Sequence, residues 1–141
     1  MRNTRAVDKF AVAAGAIRLA SGVSFLVAPT AANRLWGDDE DSGPTASLLL
    51  RSMGYRDALI GALLLRAGWR GDATVSGWFL ASAGADAADL VGGVANRGRM
   101  SLQQQRRGLG GAAVGIGVGL LGAAAAHRRS CGEPPRRRRH D

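Results

Sequence analysis

The sequence predicts an all-α protein, a four-helix transmembrane bundle, on three observations. Long apolar segments occupy about residues 10–28, 45–67, 74–95 and 108–126, and stretches rich in charge, Gly or Pro separate them. These segments are too long for strands, rich in Ala and Leu, and free of period-two alternation. The formal charge of +8 is gathered at the two ends and in one connector, which leaves the segments nearly uncharged. A soluble four-helix bundle needs a broad charged face on every helix, and the first and fourth segments have essentially none.

At 141 residues the chain has room for one core. It divides into a basic segment at 1–9, a single four-helix membrane domain at 10–126 and a basic tail of disordered composition at 127–141. Glycine, at 21 of 141 residues, is about twice its usual ~7% share. Within a water-exposed helix each glycine costs ~1 kcal/mol, whereas membrane helices use glycine for close packing. The mean hydropathy of −0.03 is low for a multi-pass protein and reflects the hydrophilic ends and loops. A single cysteine, Cys131, excludes an intrachain disulfide and a multi-cysteine zinc site. His127 lies one turn before it and His140 in the tail, too few ligands to define a metal centre. No metal and no cofactor is expected.

The first segment, Phe10 to Ala28, is interrupted only by Arg18 and stopped by Pro29. A basic start before an apolar run also fits a secretion signal cut near Ala32, but a charge inside the run argues against it. Residues 29–44 read as a loop with Trp36, the acidic run Asp38–Asp41, then Gly43-Pro44. The acidic run lacks the spacing and closing Glu of a calcium loop. The second segment ends before Trp69 and Arg70, and Gly71-Asp72 marks a tight turn into the third. Residues 96–107 form a basic, Gln-rich connector. The fourth segment is uncharged and long enough to span a bilayer. It contains a formal G-x-G-x-x-G match at 117–122, but no strand precedes it, so a nucleotide site is not expected. The four arginines at 136–139 suit anionic lipid headgroups and topology anchoring; nucleic acid is not expected as a partner.

Orientation follows from basic residues near the segment ends. With both termini cytoplasmic, the inner side carries eleven Lys and Arg and the outer side five. This predicts a multi-pass protein of the cell membrane with both termini inside. The connector violates the rule, since Arg97, Arg99, Arg106 and Arg107 fall outside.

The candidate site lies in Leu48 to Leu65, where Arg51, Arg56 and Asp57 stand among eight Leu and Ile residues. Three mid-bilayer charges cost roughly 8–10 kcal/mol, and the Leu and Ile residues return roughly 2–5. The charges therefore need partners within the bundle or an exit to the interface. Arg18 on the first helix and Asp86 and Asp89 on the third are the available partners. Ser82, Asp86, Asp89, Gly93 and Asn96 follow a 4-3-4-3 spacing and share one helix face. The expected seam is Arg18, Arg51, Arg56, Asp57, Asp86 and Asp89, with Gly54, Gly61, Gly111, Gly115 and Gly119 as packing positions. No nucleophile–base–acid set is visible, so the chain does not read as an enzyme. The primary reading is a structural or interaction role, with homo-oligomerisation open. A proton- or small-molecule-handling role for the same seam and a soluble Arg-rich nucleic-acid binder are the alternatives.

Arg51-x2-Gly54-x-Arg56-Asp57-x3-Gly61-x-Leu63-Leu64 resembles the signature of a family of uncharacterised small bacterial membrane proteins with four predicted helices. Upstream, Arg18-Leu19-x2-Gly22 with Phe25-Leu26 and Pro29 sits where such proteins carry similar residues, as does the later Asp86-x2-Asp89. More distantly the architecture is similar to DoxX-like membrane proteins. The resemblance covers about residues 10–95, implies a four-helix integral membrane protein and implies no activity.

Overall fold

In the computed structural model, which describes residues 6–35 and 43–131, five helices account for nearly every residue. They are α1 (Lys9–Val27), α2 (Pro29–Leu35), α3 (Pro44–Arg70), α4 (Val75–Asn96) and α5 (Leu102–Cys131). Two of them, α1 and α5, are long and apolar enough to cross a membrane. The acidic run at 38–41, Trp36 and the tail arginines at 136–139 lie outside the described residues.

Local chemistry sets the helix ends. Asp8 caps α1, its carboxylate accepting from Ala11 N at 3.2 Å. Pro29 both stops α1 and starts α2, because a proline needs no N–H in the first turn of a helix; Ala32 N donates to Ala28 O at 2.9 Å. The stretch expected as a loop from residue 29 is thus helical through Leu35. Gly71, at φ 59°, closes α3 in the left-handed conformation. Asp72 Oδ1 accepts from Thr74 N at 3.1 Å and turns the chain into α4.

The connector is also more ordered than its composition suggests. Arg97–Arg99 form one 3₁₀ turn. Ser101 and Gln104 then make a reciprocal capping box, with Ser101 N donating to Gln104 Oε1 at 2.8 Å. This starts α5 at Leu102, six residues before the expected boundary, and the opening turns include a π-helical stretch at Gln105–Leu109. At the far end α5 runs on through His127 to Cys131, residues expected in the tail.

The helices assemble as two tight antiparallel pairs. In the first, Gly15 and Gly22 of α1 face Gly61 and Gly54 of α3, and Gly68 of α3 faces Ala11 and Val12, with the glycines on each helix spaced by seven residues. The backbones touch there: a Cβ on Gly54 would lie 2.7 Å from Gly22 O, and one on Gly22 would overlap the backbone of Ala58. In the second pair, Gly119 packs on Ala83 and Phe79 O, and Gly122 lies under the Phe79 ring. Larger side chains join the pairs. Phe79 and Leu64 are fully buried at 1% exposure, in a cluster with Ala11, Val75, Ala123 and Ala126. The Phe79 ring also stacks on Phe10, with centroids 5.4 Å apart.

One end of the bundle collects both ends of the described chain. Asp8 N donates to Gly68 O at 2.9 Å, and the Asp8 carboxylate pairs with Arg129 at 2.5 Å. Through Asp8 the start of α1, the end of α3 and the end of α5 are tied together. At the other end Arg107 of α5 donates to Leu35 O of α2 at 3.0 Å.

Gly22→Ala should lower the thermal midpoint of the purified protein, because overpacking against backbone costs about 1–3 kcal/mol. Gly77→Ala is the matched control, since a Cβ there meets nothing within 4 Å; its midpoint should hold or rise slightly.

Candidate functional site

Three ionisable side chains, Asp86 buried and Arg18 and Asp57 mostly so, meet where the two helix pairs join. Arg18 stands at the middle of α1, Asp57 at the middle of α3, and Asp86 within one residue of the middle of α4. Arg18 Nη1 donates to Asp86 Oδ2 and Nη2 to Asp86 Oδ1, both at 2.9 Å, a bidentate fork on one carboxylate. The same guanidinium reaches Asp57 Oδ1 at 3.0 Å and Ser82 Oγ at 2.7 Å. Arg18 Nε is buried and has no hydrogen-bond partner among the described residues. Arg18, Asp57 and Asp86 side chains are only 13–16% exposed.

A second fork continues the network towards the surface. Arg56 donates to both oxygens of Asp89, at 3.0 and 2.6 Å, and through Nε to Asp57 Oδ1 at 3.2 Å. Asp57 therefore bridges the two arginines. This outer pair is more open, with side chains 33% and 39% exposed. The order runs Asp89, Arg56, Asp57, Arg18, Asp86, and it links α1, α3 and α4.

The fourth wall is a glycine. Gly115 of α5 lies against the Asp86 carboxylate so closely that a Cβ there would overlap it. All four long helices thus contribute to one level of the bundle, three by charge and one by the absence of a side chain. Gly54 and Gly61 face α1, and Gly119 faces α4, whereas Gly111 is half-buried.

Of the six residues expected in the seam, the structure brings five together. Arg51 is exposed and makes no ion pair with a described residue. It sits six residues from Asp57, about 9 Å along the helix axis, too far to share the network's carboxylates. Sequence reasoning did not pick out Ser82 as an Arg18 ligand, nor the Asp8–Arg129 latch. The signals were present: Ser82 is on the Asp86 face, and Asp8 directly precedes an apolar run, the position of an N-cap.

Among the described residues no group of three or more His, Cys, Asp or Glu side chains is placed to hold a metal ion. His127 Nε2 and Cys131 Sγ approach to 3.6 Å on the exposed end of α5. Every carboxylate of the network is already engaged by a guanidinium, so its immediate chemistry is attachment of one helix to another.

Comparison with protein families gives a match over residues 15–126 to a family described as a domain of unknown function, DUF4267. The chain belongs to this family. The DUF4267 region contains every residue of the Arg–Asp network and all the glycines of both tight interfaces. It excludes Asp8 and Arg129, so the latch at the closed end lies outside it. No curated protein and no solved structure matches the chain.

A buried hydrogen bond to a charged group contributes about 1.5–3 kcal/mol, and Asp86 accepts two of them from Arg18. Asp86→Asn should therefore be strongly destabilising in a melt of the purified protein. Asp89→Asn, on the open pair, should cost no more than about 1 kcal/mol. Arg51→Gln should fall within about 0.5 kcal/mol of wild type. Equal effects at Asp86 and Arg51 would contradict this ranking.

Proposed function

We propose that this DUF4267 chain is a multi-pass protein of the cell membrane, with both termini cytoplasmic, whose Arg–Asp network fixes two helix hairpins into one bundle. The observation that carries the reading is an inverted polarity at mid-height. Arg18, Asp57 and Asp86 are turned inward at 13–16% exposure, whereas Ile17 beside Arg18 is 72% exposed and Val114 beside Gly115 is 67% exposed. Water favours the opposite arrangement; lipid favours this one.

The network also addresses how α3 and α4 enter lipid, since neither is apolar enough by itself. Arg56, Asp86 and Asp89 each acquire a partner of opposite charge when the hairpins join, and Asp57 has Arg18 within its own hairpin. Arg51, six residues along α3 from Asp57, is left to snorkel towards the nearer interface. The shared end of the described chain supports an even number of crossings. That end carries Lys9, Arg66, Arg70, Arg128 and Arg129, as a cytoplasmic face does, and Trp69 stands exposed there at 67%.

A second reading, proton handling, is favoured by the charge count. Three carboxylates face two guanidiniums, so the network retains a formal negative charge unless it takes up a proton. Asp89 is its most open member, at 39% exposure. If the network moves protons, Asp89→Asn abolishes a pH-driven dye signal in proteoliposomes while leaving assembly intact. If it only joins helices, wild type gives no signal above empty vesicles.

Two measurements test the membrane reading. The chain should stay in membranes through carbonate and high salt and leave only with detergent; release by carbonate would overturn the reading. Cys131, the sole cysteine, should react with a membrane-impermeant maleimide only after permeabilisation. A cysteine placed at Gly98 in a Cys131→Ala background should react in intact cells.

A further inference from the structure

The basic connector is the feature the membrane reading leaves unexplained: it sets four arginines on the side where the orientation rule wants fewest. Two of them, Arg106 and Arg107, line a depression of about 510 Å³ with Leu102 and Gln103 at the start of α5. Arg107 donates to Leu35 O at 3.0 Å, and Leu35 is itself a wall of a second, larger hollow. This groove, about 880 Å³, runs between α1 and α2, with Ala20, Val23, Val27, Ala31, Leu35 and Leu65 among its walls. Alanines on both helices leave the space open. Its lone side-chain hydroxyl, on Ser24, already donates to Ser21 O at 2.6 Å, so the groove offers a ligand mostly apolar surface.

From these two hollows, joined at the Arg107–Leu35 bond, we infer that the protein binds one anionic phospholipid of the leaflet opposite its termini. The inference rests on the membrane reading above. One acyl chain lies in the α1–α2 groove, and the phosphate lies on Arg106 and Arg107. The dimensions fit a single leaflet. Along α1 the groove extends from Ala16 to Val27, eleven steps of 1.5 Å or about 16 Å, against about 15 Å for half of a bilayer's hydrocarbon core. It ends where headgroups begin, beside the arginines. Arg107 spends one donor nitrogen on Leu35 O and keeps others for a phosphate. Arg106 spends none on a described side chain. A zwitterionic headgroup would bring a cation against these two guanidiniums, so an anionic lipid is preferred. Two of the four connector arginines, Arg106 and Arg107, then have a physical purpose: they hold the phosphate of a ligand.

The test uses the full chain reconstituted in vesicles of phosphatidylcholine and phosphatidylglycerol in equal parts, followed by native mass spectrometry of the released protein. The expected result is one retained phosphatidylglycerol, favoured over phosphatidylcholine. Arg106→Gln and Arg107→Gln should each weaken that preference about fivefold. Ala20→Phe, which fills the groove from an exposed position, should abolish retention of either lipid. Arg128→Gln, at the opposite end, should change nothing; a loss there as large as at Arg107 would show general charge attraction and overturn the site. Equal retention of both lipids by a chain that resists carbonate would also overturn the site while leaving the membrane reading standing. A chain released by carbonate overturns both.

Discussion

The Arg18 guanidinium is the interaction on which the rest of the structure depends. It is the group through which α1 is ionically bound to both α3 and α4, by Asp57 and by the bidentate fork on Asp86. The α1–α3 pair and the α4–α5 pair each hold together by glycine-mediated backbone contact. Between the pairs the joint includes the Phe79 cluster, the short turn at Gly71, the Asp8–Arg129 latch, the Arg107–Leu35 bond and this network. In a membrane the aromatic and aliphatic contacts lose most of their advantage over lipid, because lipid tails are equally apolar. Ion pairs shielded from lipid do not. On the membrane reading proposed above, the joint between the pairs is therefore the part of the bundle whose integrity rests most on charge.

The glycines make that arrangement possible. Two interhelical faces with glycine at every seventh position bring α1 and α3 to backbone contact, which shortens the reach between Arg18 and Asp57. Gly115 does the same for Asp86, whose carboxylate lies flat on α5 instead of being pushed away from Arg18. Small residues and charges are thus two halves of one design: close backbones place short Asp side chains within bonding distance of an arginine. The buried, unpartnered Nε of Arg18 shows how much of its orientation is dictated by the forks at its other nitrogens.

Much of this was legible in the sequence, for identifiable reasons. Apolar segment length marked the four long helices, and the 4-3 spacing put Ser82, Asp86 and Asp89 on one face. The antiparallel turn at Gly71-Asp72 set α3 beside α4, so the level of Arg56 against Asp89 followed from geometry. Other features escaped for equally physical reasons. Arg51 looked equivalent to Arg56, but five residues rotate it off the face and lift it away from the carboxylates. Pro29 was legible as a stop, yet a proline also starts a helix, and α2 is the result. The Gln-rich connector reads as a break by its charge, whereas the Ser101–Gln104 capping box starts a helix within it. The assignment of Arg18 to Asp57 and Asp86 together needed three dimensions: one guanidinium satisfying two carboxylates from different helices leaves no trace in periodicity.

The most direct test of the account is a double-mutant cycle on Arg18 and Asp86, read as the unfolding free energy of the purified protein. Arg18→Met removes the cation, Asp86→Leu the fork, and the double variant both; Asp57 keeps Arg56 as a partner throughout, at 3.2 Å. If this pair joins the hairpins, Arg18→Met loses about 3–5 kcal/mol by stranding the Asp86 carboxylate. Asp86→Leu loses less, because Arg18 keeps Asp57 at 3.0 Å. The double variant loses far less than their sum, because no buried charge is stranded. Additive losses, with the double variant as unstable as both single variants combined, would contradict the central role of the pair.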